Sequence, residues 1–434
     1  MDYICENISA DREGILHFAG QDVTSLAQKY GTPLYLMDED RIRHNCRVYK
    51  EAFEKYFPCG SLPLYAGKAC CFKQMYRIMK EENMGIDVVS PGEIYTASEA
   101  GYDMSNAFFH GNNKTDRDIA FAMDRKVGYF VIDNSEEAEE IEKEAARRGI
   151  VQKALLRVTP GIDPHTYEAV STGKVDSKFG SAIETGQAEQ LTASILQMSH
   201  IKLMGFHCHV GSQVFAEDVF ERAAAVMIDF IADMYSKHGY LASSLNLGGG
   251  YGVRYTEKDP HLDISVKIGE VAYAVRRACD LKNIPVPVIY MEPGRSIVAD
   301  AGMTLYTAGS VKEIPGYKTY VSIDGGMTDN PRYALYKSAY TCFNASRMND
   351  TDRMSVTIGG RCCESGDIIQ ENVQISSNTK KGDIIAVCTT GAYNYSMASL
   401  YNRVARPAVV MLSKGDSYTA VRHETFEDII SLDQ

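Results

Sequence analysis

No apolar run in this sequence of 434 residues approaches the length of a membrane span, about 20 residues. A transmembrane helix is therefore not expected. Clusters of lysine and arginine are also missing. Acidic residues outnumber basic ones 57 to 45, for a formal charge of −12, which argues against a nucleic-acid surface. The opening stretch, MDYICENISADREG, carries acids and no apolar core, so it does not read as a signal peptide. No pair of cysteines is spaced as CxxC. The cysteines number 11, an odd count, and two pairs are adjacent, Cys70/Cys71 and Cys362/Cys363. That pattern fits reduced thiols in a cytoplasmic protein better than a disulfide framework or a zinc site. Internal repeats, low-complexity tracts and long linkers are lacking too.

What is present is ordinary globular composition, 45% apolar and 24% charged. The length exceeds what one core usually holds, so two domains are expected. Short apolar segments alternate with longer helical ones. The expected strands are LPLYA from Leu62, IDVVS from Ile86, AFFH from Ala107, GYFVID from Gly128, KALLRV from Lys153, KLMGFH from Lys202, SLNLGG from Ser244 and VIYMEP from Val288. Helical stretches include DEDRIRHNCRVYKEAFEKYF, PGEIYTASEAG and DISVKIGEVAYAVRRACD. The acid-rich run at 134–149 opens on Asn134 as N-cap and closes on Gly149, and its charges read as a solvated face. Eight strands alternating with helices predict an α/β fold, a (β/α)8 barrel of the TIM type, over residues 36–300. After about residue 300 the texture changes to short alternating segments with glycine turns, such as TLYTAGSVKEI, KTYVSIDGG, MSVTIGG and GDIIAVCTTGAY. Residues 301–434 therefore read as a second, mainly antiparallel β domain. The N-terminal segment, 1–35, with GILHFAG and the start of TPLYLMD, is expected to join it.

The chemically suggestive residues fall at or just past the C-terminal ends of the barrel strands, where such barrels build their sites. They are Lys68, Asp87, His110, Arg157, the run HCHVGS with His207, His209 and Ser212, the glycines Gly248, Gly249 and Gly250, and Glu292 with Arg295 in EPGRS. One such placement is coincidence; packing alone does not explain so many. The glycine triplet would let backbone N–H groups approach an anion, and Arg295 adds a cationic fork near an expected helix start. The triplet alone reads as a flexible turn; paired with EPGR one strand later it reads as a phosphate site. A lysine, an acid and a phosphate site in one barrel mouth point to pyridoxal 5'-phosphate. Lys68 would hold the aldehyde as a Schiff base, which calls for a desolvated amine. Glu292 would keep the ring nitrogen protonated, and His209 would stack on the ring. His207 reads as structural and Cys208 as a packing residue. A zinc site built on HCH lacks further ligands and is a distant alternative.

The sequence also resembles the fold-type III pyridoxal-phosphate decarboxylase family, in the stretches YAGKAC, GIDVVSPGE, GFHCHVGSQ, NLGGGYG, EPGRSIVADAG, DGGMTDNPRYALY, CCESGDII and GAYNYSMASLYNRVARPA, residues 65–407. The last four stretches resemble the branch acting on diaminopimelate rather than the ornithine type. The resemblance implies a barrel with a C-terminal β domain, a homodimer with shared active sites, and release of carbon dioxide from meso-2,6-diaminopimelate to leave lysine. It also implies roles for individual residues. Lys68 is the Schiff-base lysine. Asp87, Arg157, His209, Ser212, Gly249, Gly250, Glu292, Gly294, Arg295 and Tyr393 bind cofactor. Arg295, Arg332, Tyr336, Glu364 and Tyr393 bind substrate. Cys363 donates a proton, and it and Glu364 come from the other subunit. A distal ammonium and carboxylate need an anion and a cation, and Glu364 with Arg332 supply them. Two departures are visible: Tyr333 stands where the family usually has proline, and Leu400 where it often has asparagine. Decarboxylation of ornithine, arginine or carboxynorspermidine, or cofactor binding without catalysis, are the alternatives at this point.

Overall fold

The computed structural model describes residues 3–162 and 177–434. They form two compact units, one of Asn45–Gly252 with Leu262–Ser296, the other of Met1–His44, Val253–His261 and Ile297–Gln434.

In chain order, strand β1 (Leu34–Asp38) and helix α1 (Glu39–Tyr56) precede the barrel strands. These are β2 (Leu62–Ala66), β3 (Gly85–Val88), β4 (Ala107–Phe109), β5 (Tyr129–Ile132), β6 (Gln152–Thr159), β7 (Ile201–His207), β8 (Ser244–Asn246) and β9 (Val288–Met291). All eight segments expected from sequence are strands. Each pairs in parallel with the next, and β9 returns to β2, which closes the barrel. A closed parallel barrel is buried on both faces, so its strands are continuous apolar runs rather than alternating ones. Strands β3 and β8 are buried at every residue. Leu64, Phe108, Val131, Leu155 and Tyr290 pack together, with Phe108 stacked flat on Tyr129 at 4.3 Å. The core is filled with side chains, so ligands are left the strand ends.

Helix α2 (Ser135–Arg148) has the expected caps. Asn134 Oδ1 accepts the N–H of Glu137 at 2.9 Å, and Gly149 closes the helix in the left-handed region. Its acids are not all solvated, which corrects the sequence reading. Glu137 is buried and takes the ammonium of buried Lys114 at 2.6 Å, and Glu144 is buried against Arg147. A buried lysine needs such a partner; the composition of a helix does not show which acid supplies it.

The second unit continues with β10 (Gly302–Ile314), β11 (Lys318–Ile323), β12 (Cys342–Asn344), β13 (Arg353–Gly359), β14 (Ile368–Ser376), β15 (Ile384–Cys388), β16 (Ala408–Ser413) and β17 (Asp416–Val421). Most neighbours are antiparallel, but β11–β13 and β1–β16 are parallel. The N-terminal contribution is β1, threaded between β10 and β16. The other early segment behaves differently. Leu16–Phe18 pairs with Ile8–Ala10 and Gln21–Asp22 in a separate three-stranded sheet. Leu16 and Phe18 still share a core with Leu34, Leu36, Met303, Leu305 and Val410. No disulfide joins the cysteines, and no helix among the described residues is long and apolar enough to cross a membrane.

Candidate active site

Within the barrel unit, Lys68 sits on a short turn, Gly67–Ala69, directly after β2. The phenol of Tyr65 donates to the carbonyl of Cys70 at 2.7 Å, and the N–H of Ala66 donates to Pro293 at 3.0 Å. Gly294 lies against this turn so closely that a Cβ there would come 3.0 Å from that of Ala66 and 3.1 Å from that of Ala69. A side chain at Gly294 would therefore push the lysine turn outward. The Lys68 side chain is exposed, contrary to the desolvated amine expected from sequence. It lies at the barrel mouth, with Asp87, Glu93 and His209 as electrostatic neighbours.

Behind it lies a buried polar cluster around Glu292, which follows β9. Oε1 of Glu292 accepts the amide of Asn246 at 2.7 Å, and Oε2 accepts Nε2 of His207 at 3.2 Å. His110 Nε2 lies 2.9 Å from Oε1 without the alignment of a hydrogen bond, and 3.8 Å from Asp87. Burial raises the carboxyl of Glu292, but His110 and His207 outweigh it and hold the pKa well below the usual range. Asp87, 2% exposed, moves the other way: burial and the Glu292 charge raise it, against His110. Two buried carboxylates with pKa values pushed apart are a recurrent feature of working sites. Burial pushes His207 down to about 4, so it is a neutral donor. His110, His207 and Glu292 bring three potential ligand atoms within 4.8 Å. The amide donor on Glu292 makes this a hydrogen-bonded cluster around a carboxylate. Arg157 completes the wall, stacked on Phe179 at 4.3 Å and facing Asp133, Glu292 and Asp87.

The glycine loop after β8 is tightly set. A Cβ on Gly249 would meet the Glu292 carbonyl at 2.0 Å, and one on Gly250 the Gly211 carbonyl at 2.0 Å. No side chain fits, so backbone alone lines this wall. The N–H of Gly249 donates to Nδ1 of half-buried His209 at 3.3 Å. Burial and the Lys68 charge keep that imidazole neutral, its pKa well below the usual value. Arg295, largely buried, donates from Nη2 to Oγ of Ser212 at 3.1 Å. A glycine cradle with a guanidinium and a hydroxyl fits a phosphate. With a carboxylate held ionised and an accessible lysine in the same mouth, the residues present fit pyridoxal phosphate. Asn246 and Asp133 are absent from the sequence-derived set, although both lie at barrel-strand ends; that position was the signal.

The remaining expected residues lie in the β unit. Arg332 is buried; its guanidinium sits over Tyr336 at 4.8 Å and Tyr393 at 5.3 Å. Its Nε finds no hydrogen-bond partner among the described residues. Tyr393 holds φ at +63°, uncommon for a bulky residue. Tyr333, where proline is usual, donates its phenol to Glu371 at 2.5 Å, which anchors the short helix Arg332–Tyr336. Cys363 and Glu364 are exposed on a loop. The N–H of Cys363 donates to Oδ1 of Asn402 at 2.8 Å, and that of Cys362 to Asp367 at 2.7 Å. Leu400 is 39% exposed and removes no reacting group.

Residues 39–299 match the pyridoxal binding domain of pyridoxal-dependent decarboxylases. The diaminopimelate decarboxylase of Bacillus subtilis is 41% identical over 423 residues, 98% of this chain and 96% of that protein. The Staphylococcus aureus enzyme of that name is likewise 41% identical, over 98% of each chain. Among solved structures, diaminopimelate decarboxylase from M. jannaschii in complex with L-lysine aligns with a TM-score of 0.91 at 31% identity, over 99% of this chain and 98% of that one. A barrel mouth fitted for pyridoxal phosphate, and similarity that runs through both units, lead to one assignment: the chain belongs to the pyridoxal-dependent decarboxylases, in the diaminopimelate decarboxylase family.

Proposed function

We propose that this chain is a carboxy-lyase that uses pyridoxal phosphate to convert meso-2,6-diaminopimelate to L-lysine and carbon dioxide, the last step of lysine biosynthesis. The observation that carries the substrate choice is Arg332. It is a buried cation whose Nε has no hydrogen-bond partner among the described residues, and a buried unpaired donor is costly unless a ligand completes it. Ornithine has no distal carboxylate to offer; diaminopimelate has one.

When bound, pyridoxal phosphate supplies an electron sink for the pair left on carbon as carbon dioxide departs. Lys68 is the amine that would hold its aldehyde. Ser212, Gly249, Gly250 and Arg295 would hold the phosphate, and Gly294 keeps the lysine turn in place. Glu292, held ionised by its donors, would keep a proton on the ring nitrogen. Neutral His209 would offer a flat face to the ring, and Asp87 and Arg157 would set the field beside it. Arg332 with Tyr336 and Tyr393 orients the distal carboxylate of the substrate, and Glu364 takes the distal ammonium. Cys363 delivers the proton that replaces the lost carboxylate. The exposure of Cys363 and Glu364 on their own unit supports a homodimer in which each subunit lends this loop to the other. The sequence reading gives 36–300 to the barrel and 301–434 with 1–35 to the β domain; β1 and Val253–His261 belong instead with the β unit. A cytoplasmic location fits 11 cysteines that form no disulfide.

The test is carbon dioxide release from meso-diaminopimelate beside ornithine, arginine and lysine, with cofactor added. Release from diaminopimelate alone is expected; preference for any of the other three would overturn the substrate assignment.

A further inference from the structure

Asn246 is the last residue of β8 and is fully buried. Its side chain makes two hydrogen bonds of opposite sense. Nδ2 donates to Oε1 of Glu292 at 2.7 Å, and Oδ1 accepts the backbone N–H of Gly248 at 2.9 Å. The backbone reinforces the same link. The N–H of Glu292 donates to the carbonyl of Gly248 at 2.8 Å, and the carbonyl of Asn246 accepts from Cys208 at 2.9 Å. One amide thus joins the carboxylate assigned to the ring nitrogen to the first glycine of the loop assigned to the phosphate. Those are opposite ends of one cofactor.

The residue type matters. Only a side-chain amide of this length donates at one atom and accepts at the other while staying uncharged. Aspartate would serve Gly248 but face Glu292 with a like charge. Leucine would match the volume and leave a buried N–H and a buried carboxylate oxygen short of partners.

We propose that Asn246 is a positioning residue. It fixes the orientation of the Glu292 carboxylate, and it sets the glycine loop in register with that carboxylate. This rests on the reading of the chain as a pyridoxal-phosphate enzyme.

The test compares wild type, Asn246→Asp, Glu292→Gln and the double variant Asn246→Asp/Glu292→Gln. Cofactor dissociation constants come from equilibrium dialysis of the protein with pyridoxal phosphate, and folding is followed by thermal melts. Asn246→Asp should weaken cofactor binding about 10- to 100-fold, the loss of a charge-assisted contact with a repulsion added. In the double variant the glutamine amide donates to the new carboxylate, so the bond re-forms with its direction reversed. Cofactor affinity should recover to within about threefold of Glu292→Gln alone, the scatter expected of one neutral hydrogen bond. Turnover should stay low, because no carboxylate faces the ring nitrogen. A purely structural amide would change the melts without this recovery of affinity. Wild-type cofactor affinity in folded Asn246→Asp, or no recovery in the double variant, overturns the proposal. Should the aspartate variants not fold, Asn246→Ser takes their place, and wild-type affinity there overturns it equally. Wild-type protein that binds no cofactor would instead sink the functional reading itself, whatever the variants do.

Discussion

His207 Nε2 lies 3.2 Å from Oε2 of Glu292, and burial holds that imidazole neutral, its pKa pushed down to about 4. The sign of its effect on stability follows. In the unfolded chain the same group titrates near 6.5, so between about pH 6.5 and 4 the unfolded state binds the extra proton. Stability from His207 is therefore present at neutral pH and is lost as pH falls through that window. Glu93 and Asp329, both raised to about 7 by burial, act in the opposite sense. The readout must therefore be a difference. His207→Gln keeps a donor toward Glu292 and cannot titrate. Its urea midpoint relative to wild type should improve on going from pH 7 to 5, by an amount worth about 2 kcal/mol. A difference that does not change with pH would mean that His207 titrates in the folded protein as it does in the unfolded chain.

Lys68 lies at the barrel mouth beside Asp87 and His209. Borohydride reduction of cofactor-loaded protein, followed by peptide mapping, should place the pyridoxyl group on Lys68. Lys68→Ala should take no label. A label on any other lysine removes Lys68 from its role.

Arg332 and Glu364 are expected to read the far end of the substrate. Glu364→Gln keeps the size and removes the charge, and should lower kcat/KM on diaminopimelate by about one to three orders of magnitude. Arg332→Lys keeps the charge but loses the fork that matches a carboxylate, and should lower kcat/KM by about tenfold or more. The absorbance of bound cofactor should persist in both. An unchanged kcat/KM in either variant takes that residue out of the site.

Assembly can be read from complementation. Lys68→Ala and Cys363→Ala homodimers should each be nearly inactive. Mixed equally, unfolded and reassembled, about half the dimers would be mixed, each with one intact site, so roughly a quarter of wild-type activity should return. If mass spectrometry shows mixed dimers and no activity returns, each subunit builds its own site.

The sequence alone was enough for the barrel and for many of the residues at its mouth, though not for Asn246 or Asp133. Parallel strands buried on both faces must be short apolar runs, and the closing turns must carry the glycines and polar groups the interior cannot hold. Hence LPLYA, SLNLGG and VIYMEP could be placed, and Lys68, Gly249 and Glu292 with them. Which pairs within the β unit run parallel was not legible, because side chains alternate in the same way in parallel and antiparallel strands. Only the fold shows β1 antiparallel to β10 and parallel to β16, and Leu16–Phe18 in a sheet of its own. Nor does the sequence show burial of single charges. Glu137 looked solvated and is held inside by Lys114, whereas Lys68 was expected to be desolvated and is exposed. The convergence of Asn246, His207 and His110 on Glu292 was least visible of all. These residues stand on four different strand ends, and only the register of a closed barrel brings their polar atoms within bonding distance. Sequence supplied the chemical types; barrel closure decided which of them face one another, because a contact between distant chain segments is a property of strand register and not of spacing.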